Sequence, residues 1–371
     1  MNQGAIVGVI ITLILIALGL IIRKSKILLL LQTTWIWILM VFNTDSADFT
    51  NNSGLYYLAN NTHMFSQNFF GSAFFYFSTI AKRLGMNYLT FNGILATIST
   101  LIIVAIILRY SSNPCIVISF FMWYPLVSSI IQKRWYFAMG ILVLAVSILL
   151  LNKSKVEKTI WLLLLITFAC MFHAGAVYYY TLVLYYWIPD KWKKYVSIIG
   201  FIILTLGKNQ LSGILSTSSN SDLSDKSKVY FQTLASNNIW HFIFWICWQL
   251  LFVGLIFYLI KRQSVREILG DNYCNFLWLI NWWSILIIPL YSFDPVFNRL
   301  FRIVIIFNYI AISNLLLIKD RKISKINFYS NIYQLILCIS TFFIVNALAG
   351  APIDQLVFPI LNSNIVLNFF N

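Results

Sequence analysis

Three hundred and seventy-one residues, 60% hydrophobic and 10% charged, with a mean hydropathy of +0.82, exclude a soluble globular protein. Soluble domains carry about a quarter charged residues. Lys and Arg number 26 against 11 Asp and Glu, a net charge of +15. Soluble nucleic-acid binders can carry that excess, but not alongside apolar runs long enough to cross a bilayer, so the charge reads first as topology and no nucleic-acid partner is implied.

In chain order, the apolar run from Ala5 to Ile22 has no basic stretch before it and reads as a first spanning helix rather than a cleavable signal. A second run covers 27–42. The polar stretch 43–68 follows, NTDSADFTNNSGLYYLANNTHMFSQN, carrying Asp45, Asp48, Tyr56 and His63. Segment 69–81, FFGSAFFYFSTIA, is apolar but too short to span, and Lys82 and Arg83 follow at once; it reads as a short re-entrant or interfacial helix. Further spans are expected at 88–108, 114–131, 135–151, 159–172, 174–188 and 195–207. After the Ser- and Asn-rich loop 208–238, a lid or a linker, come 239–260, 273–291, 303–318 and 328–348. The fold class is therefore all-α, a polytopic integral membrane protein with roughly 11–13 transmembrane helices. It is read as a single multi-pass domain over 1–371 with outer loops 43–68 and 208–238.

Charge decides how 69–81 is treated. If it does not cross, 17 basic residues fall on one side, in clusters at 23–26, 153–158, 191–194, 261–266 and 319–325 with Arg109, and 9 fall on the other. If it crosses, the split becomes 12 and 14. Because basic residues concentrate in cytoplasmic loops, the first layout is favoured, with both termini outside.

The five cysteines, Cys115, Cys170, Cys247, Cys274 and Cys338, sit in or beside apolar runs without a CxxC pair and read as buried structural thiols. No DxD, GxxxxGK[ST] or HExxH pattern occurs, so no metal or cofactor is expected. No span carries an acidic residue deep in its interior, as an ion-coupled transporter would.

The unusual polar residues gather on the outer side. They are Asp45, Asp48 and Tyr56 in the first loop, Lys133 and Arg134 in IIQKRWYFA, His173 in FACMFHAGA, and Asp294, Arg299 and Arg302 in PLYSFDPVFNRLFR. Each has a bland reading: helix caps for the aspartates, snorkelling anchors for the basic residues, a satisfied packing residue for His173. His63 and His241 read as ordinary loop or interface histidines. Arg299 and Arg302 are three apart, so a helix starting at the Pro295 turn puts both on one face. Planar guanidinium forks bind phosphate oxygens with two hydrogen bonds each, which suits a diphosphate. Carboxylates, an imidazole and guanidinium groups at one membrane surface suit an anionic, lipid-linked substrate.

Three segments carry a family resemblance: NTDSADF (Asn43 to Phe49), RWYFA (Arg134 to Ala138) and FACMFHAGA (Phe168 to Ala176). Thr44-Asp45 with Phe49, Arg134 with Ala138, and Phe172-His173 with Ala176 resemble the EpsG-like polysaccharide polymerases, often grouped with the Wzy-type enzymes. The start of NRLFRI, with Arg299 and Arg302, is similar to a late family Arg. Trp135 stands where a Gln commonly follows the Arg, and Ser46 where an aromatic commonly follows the Asp.

The resemblance implies a glycosyltransferase of the bacterial cytoplasmic membrane, its active site facing outside or the periplasm. It would polymerise undecaprenyl-diphosphate-linked oligosaccharide repeat units into exopolysaccharide, capsule or O-antigen, in a pathway with a flippase and a chain-length regulator. Glycosyl transfer needs a base for the acceptor hydroxyl, Asp45 first and His173 second, and charge neutralisation of the leaving diphosphate by Arg134, Arg299 and Arg302. Asp294 would orient a guanidinium, and Asp48, Lys133 and Tyr56 would line the substrate. The rival readings are another lipid-linked glycan transferase, such as a ligase, and a flippase. The flippase is disfavoured because the charges concentrate at one surface instead of lining a passage.

Overall fold

The computed structural model describes residues 2–59, 69–207, 210, 239–317, 321–345 and 353–371. His63 and nearly all of loop 208–238 lie outside them. Among the described residues the secondary structure is helical, with no strand. Helix α1 (Gln3–Ile22) is capped by the Asn2 side chain and α2 (Lys26–Val41) by that of Ser25, each accepting from a first-turn backbone N–H. Within the stretch expected as an outer loop, residues Phe49–Leu58 form helix α3, with Asp48 at its N-cap.

Segment 69–81 gives α4 (Ser72–Arg83), 12 residues long. At 1.5 Å per residue it covers about 18 Å, well short of a hydrocarbon core of about 30 Å, so it does not span. Helix α5 (Tyr88–Tyr110) follows. The apolar run 114–131 divides into α6 (Pro114–Trp123) and α7 (Leu126–Ile131). Pro125 forces the break, because a proline disfavours helical geometry in the residue before it and Tyr124 is extended.

Helix α8 (Lys133–Ser147) tightens into a 3-10 turn, and α9 (Lys155–Cys170) runs to a break before the 3-10 segment Ala174–Tyr179 and α10 (Tyr180–Trp187). Then come α11 (Asp190–Leu206), α12 (Ile239–Ile260), α13 (Gln263–Leu269) and α14 (Asp271–Ser284). A 3-10 stretch carrying Pro289 links α14 to α15 (Asn298–Asn314). Helix α16 (Arg321–Phe343) and two short turns, α17 (Ile353–Leu356) and α18 (Phe358–Asn362), follow, and the 3-10 segment Leu367–Phe370 closes the described elements.

The chain is a multi-pass membrane protein. Six described helices, some extended by a 3-10 turn, are long and apolar enough to cross a bilayer: Gln3–Ile22, Tyr88–Tyr110, Lys133–Leu150, Ile239–Ile260, Asp271–Ser292 and Pro295–Asn314. Shorter apolar helices lie at Lys26–Val41, Pro114–Trp123 and Phe328–Phe343. The runs expected to span between 159 and 207 are helical but individually short: 16 residues in α9, 8 in α10 and 17 in α11. Four cysteines are buried as expected; Cys247 is exposed on α12, a departure that costs little where the surroundings are lipid.

The helices form two compact units. The first comprises Met1–Ser147, Phe168–His173 and Tyr309–Asn371. Helices α5 and α8 pack closely in it: the Ser99 hydroxyl donates to the Tyr136 carbonyl at 2.7 Å, and Gly140 lies so close that an added Cβ would fall 2.3 Å from Ser99 Oγ. Fully buried Gln32 ties three helices together, its amide donating to Leu15 O, Cys115 O and Ser119 Oγ at 3.0–3.3 Å. Small residues and buried amides are how helices associate in lipid, where apolar burial alone supplies no driving force.

The second unit comprises Ile148–Thr167 and Ala174–Asn308. Its core follows the same logic: Asn281 and Asn308 exchange reciprocal amide hydrogen bonds at 2.9 and 3.0 Å, and Gln249 donates to Ser284 O at 2.7 Å while accepting from the Tyr291 hydroxyl.

Candidate functional site

In the first unit, segment 43–49 leaves the end of α2 and is pinned from two sides. Asn43 is fully buried; its amide donates to Asp45 O at 2.7 Å and Ile360 O at 3.2 Å, and its carbonyl accepts from Lys133 Nζ at 3.0 Å. The Lys133 ammonium also lies 5.0 Å from the centre of the Phe49 ring. Lys133 is thereby buried, its charge met by a carbonyl dipole and a π face, and it holds the acidic segment instead of reaching outward. Asp45 stands exposed beyond this anchor, and Asp48 is half-buried at the start of α3. Tyr56 is fully buried and donates its hydroxyl to Met86 O at 2.6 Å; its ring packs on Phe91 and Tyr88 behind the segment.

The next residue after Lys133, Arg134, is half-buried with its guanidinium 5.4 Å from the Phe74 ring of α4. Asp48 and Arg134 both lie within electrostatic range of the Tyr88 side chain at the start of α5. Trp135 meets His173 edge-on, ring centres 5.1 Å apart. His173 follows a turn that is itself fixed: the Met171 carbonyl accepts from Ala73 N at 3.0 Å, and Phe172 is buried against Phe77 and Phe137. Helix α4 thus carries the support for both Arg134 and His173. The first unit brings Asp45, Asp48, Lys133, Arg134 and His173 into one set of connected segments.

An apolar groove of about 390 Å³ opens between α2 and α5, lined by Trp37, Val41, Phe42, Gly93, Ile94 and Ile98 among others. Two of its polar side chains bond within the wall, Trp37 Nε1 to Thr97 Oγ1 and Thr97 Oγ1 to Gly93 O, both at 2.7 Å. Phe42, in the lining, directly precedes the Asn43–Asp45 segment.

In the second unit, Asp294 caps the 3-10 turn Pro295–Phe297 by accepting from Val296 N at 2.7 Å, and that turn feeds α15. The expected helix start at Pro295 is therefore present, and Arg299 and Arg302 occupy neighbouring positions three residues apart near its N-terminus, where the helix dipole also favours an anion. Both are buried; Arg302 donates to Asn298 Oδ1 at 2.9 Å, and Arg299 lies 5.9 Å from the Phe297 ring. Burial pushes the Asp294 carboxyl above its usual range, opposed by the Val296 N–H, Arg299 and His241. His241 accepts from Trp245 Nε1 at 3.2 Å. Among the described residues, no group of three or more His, Cys, Asp or Glu side chains could hold a metal ion.

Sequence reasoning missed Asn43, whose side chain anchors the acidic segment, and Phe74, the platform under Arg134. It noted Trp135 only as a departure, whereas Trp135 is the ring partner of His173. None of these had a signal beyond its neighbours in sequence, because each works through a contact made by distant residues.

The model of the EpsG family, a Wzy-like family of polysaccharide polymerases, matches residues 26–359. No curated protein and no solved structure matches the chain significantly.

Proposed function

The chain belongs to the EpsG family, and on that premise we propose that it polymerises undecaprenyl-diphosphate-linked oligosaccharide repeat units by glycosyl transfer on the outer face of the bacterial cytoplasmic membrane. The product is an exopolysaccharide, capsule or O-antigen chain, and the pathway's flippase and chain-length regulator are its partners. The observation that carries the reading is the joining, within one unit, of three separate sequence segments: Asp45 on a segment anchored by Lys133, Arg134 beside that lysine, and His173 against Trp135.

Asp45, the exposed carboxylate, takes the proton of the acceptor hydroxyl. The freed oxygen attacks the anomeric carbon of the donor chain. The bond from that carbon to the diphosphate oxygen breaks, and undecaprenyl diphosphate leaves with the electron pair. Arg134 meets the growing negative charge, and His173 is the alternative base. In the second unit, Arg299 and Arg302 bind phosphate oxygens, with Asp294 orienting Arg299. The apolar groove between α2 and α5 supports the lipid-linked part of the reading, since a polyprenyl chain finds there an apolar wall beside the acidic segment.

The test is reconstitution in proteoliposomes with lipid-linked repeat units as the sole substrate. A ladder of lengthening polymer with release of undecaprenyl diphosphate is expected. Transport of intact substrate without new glycosidic bonds would establish the flippase reading instead.

A further inference from the structure

The Asp45 segment is held by a part of the chain far from it in sequence. Asn43 and Asn364 form an isolated antiparallel bridge. Around it, Thr44 N donates to Ser363 O at 3.2 Å, Ile365 N donates to Phe42 O at 3.0 Å, and the Thr44 hydroxyl donates to Ser363 O at 2.6 Å. The Asn43 amide adds Ile360 O to its bond with Asp45 O. Asn364, fully buried like Asn43, donates to Ile38 O at 3.1 Å and accepts from Val366 and Leu367 N–H. This segment is seated in turn on α1. Asn362 and Asn371 accept from Asn2 N and Gly4 N, and Gly4 lies so close that an added Cβ would fall 2.2 Å from Leu367 O.

We propose that residues 360–365 form a positioning clasp for Asp45, acting through Asn43 and Thr44. The inference rests on the reading of Asp45 as the base. Residues 360–371 lie beyond the span that the family model matches, so the clasp goes further than family membership.

The physical argument is one of reach. Asp45 is exposed, and its own side chain is not what fixes the segment. Residues 42 to 44 are locked immediately before it, by backbone bonds from Thr44 N to Ser363 O and from Ile365 N to Phe42 O and by side-chain bonds of Asn43 and Thr44 to carbonyls. A base must sit within hydrogen-bond reach of the proton it removes. A displacement of 1 Å from the productive geometry can cost on the order of 100-fold in rate. The clasp confines the backbone at the residue preceding the base without occupying the space a substrate needs.

The test compares four full-length variants in proteoliposomes with lipid-linked repeat units. Thr44→Val is nearly isosteric and removes the hydroxyl donor to Ser363 O. Thr44→Ser retains it. Asn364→Ala loosens the clasp with a side chain that touches neither Thr44 nor Asp45. Asp45→Asn is the reference for loss of the base. The expected result is a fall of about tenfold or more in kcat for Thr44→Val and Asn364→Ala, with KM for the lipid-linked donor within about twofold of wild type. Thr44→Ser should recover most of the rate.

Wild-type kcat in both Thr44→Val and Asn364→Ala would overturn the clasp. So would a loss matched by lower thermal stability and unrelieved by Thr44→Ser, because that pattern belongs to a purely structural contact. A wild-type rate in Asp45→Asn is a separate outcome: it removes the base assignment, and the clasp with it.

Discussion

Arg134 holds its guanidinium 5.4 Å from the Phe74 ring, while its neighbours in sequence turn in other directions: Lys133 toward the Asn43 carbonyl and Trp135 toward His173. Three consecutive side chains therefore tie the start of α8 to three other segments, and of the three Arg134 is the one left half-buried. A donor aimed at charge that grows in the transition state is worth about 10²–10³ in rate, so Arg134→Ala is expected to lose kcat by that factor. Lysine keeps the charge but lacks the planar fork, so Arg134→Lys should recover only part of it. The measurement is polymer length and initial rate in a deletion strain complemented by each variant; normal long-chain polymer from Arg134→Ala would remove Arg134 from the reaction. At this scale the sequence was informative about residue type. Asp45, Arg134 and His173 stand out because charge and imidazole are rare in a chain that is 10% charged. It was silent about Asn43, since a buried amide that bonds to Ile360 O cannot be told from a loop asparagine until residue 360 is beside it.

Helices were legible where an apolar run is long and unbroken. Helices α1, α5 and α12 follow their runs to within a few residues because length and apolarity alone determine a span. The short helix α4 was legible for a different reason, that crossing would have upset the charge balance. Helix α3 was not legible: FTNNSGLYYL has the composition of a loop, and its helix is supported by tertiary contacts of Tyr56 with Met86, Tyr88 and Phe91. The pairing of α5 with α8 was equally invisible, since it depends on Ser99 meeting Gly140. A Cβ at Gly140 would lie 2.3 Å from Ser99 Oγ and 3.0 Å from Ser99 Cα, and the backbone atom cannot rotate away. Gly140→Val should therefore push the helices apart and destabilise the protein by about 1–3 kcal/mol, the usual cost of overpacking. Because α8 begins at Lys133 and Arg134, activity should fall with it. Thermal unfolding in detergent gives the reading, and an unchanged midpoint would show that α5 and α8 are not in close contact.

At the scale of the whole chain, we propose that the net charge of +15 acts as an orientation signal more than as a ligand site. The ion pairs Lys153–Glu157, Lys193–Asp190 and Arg266–Asp271 all fall in the basic clusters, at or beside helix starts, so some of that charge is neutralised locally. The acidic segment is different, because Asp45 and Asp48 follow α2 directly and the basic turn Arg23, Lys24 and Lys26 precedes or opens it. Helix α2 thus separates a cationic end from an anionic one within the first unit, and under the proposed orientation the positive-inside rule puts the cationic end in the cytoplasm. In a background with the five native cysteines replaced, a cysteine at position 45 should react with a membrane-impermeant maleimide in intact cells, and one at position 24 only after permeabilisation. Both positions are exposed, so failure to label cannot be ascribed to burial. The opposite pattern would put Asp45 on the cytoplasmic face, where it could not serve as base for a substrate polymerised outside. Because α4, at 12 residues, is too short to return the chain across the bilayer, the same experiment tests whether the orientation set by α2 carries through to α5. A cysteine at exposed Asn87, the cap of α5, should label from outside together with position 45, and would label from inside if segment 69–81 crossed after all.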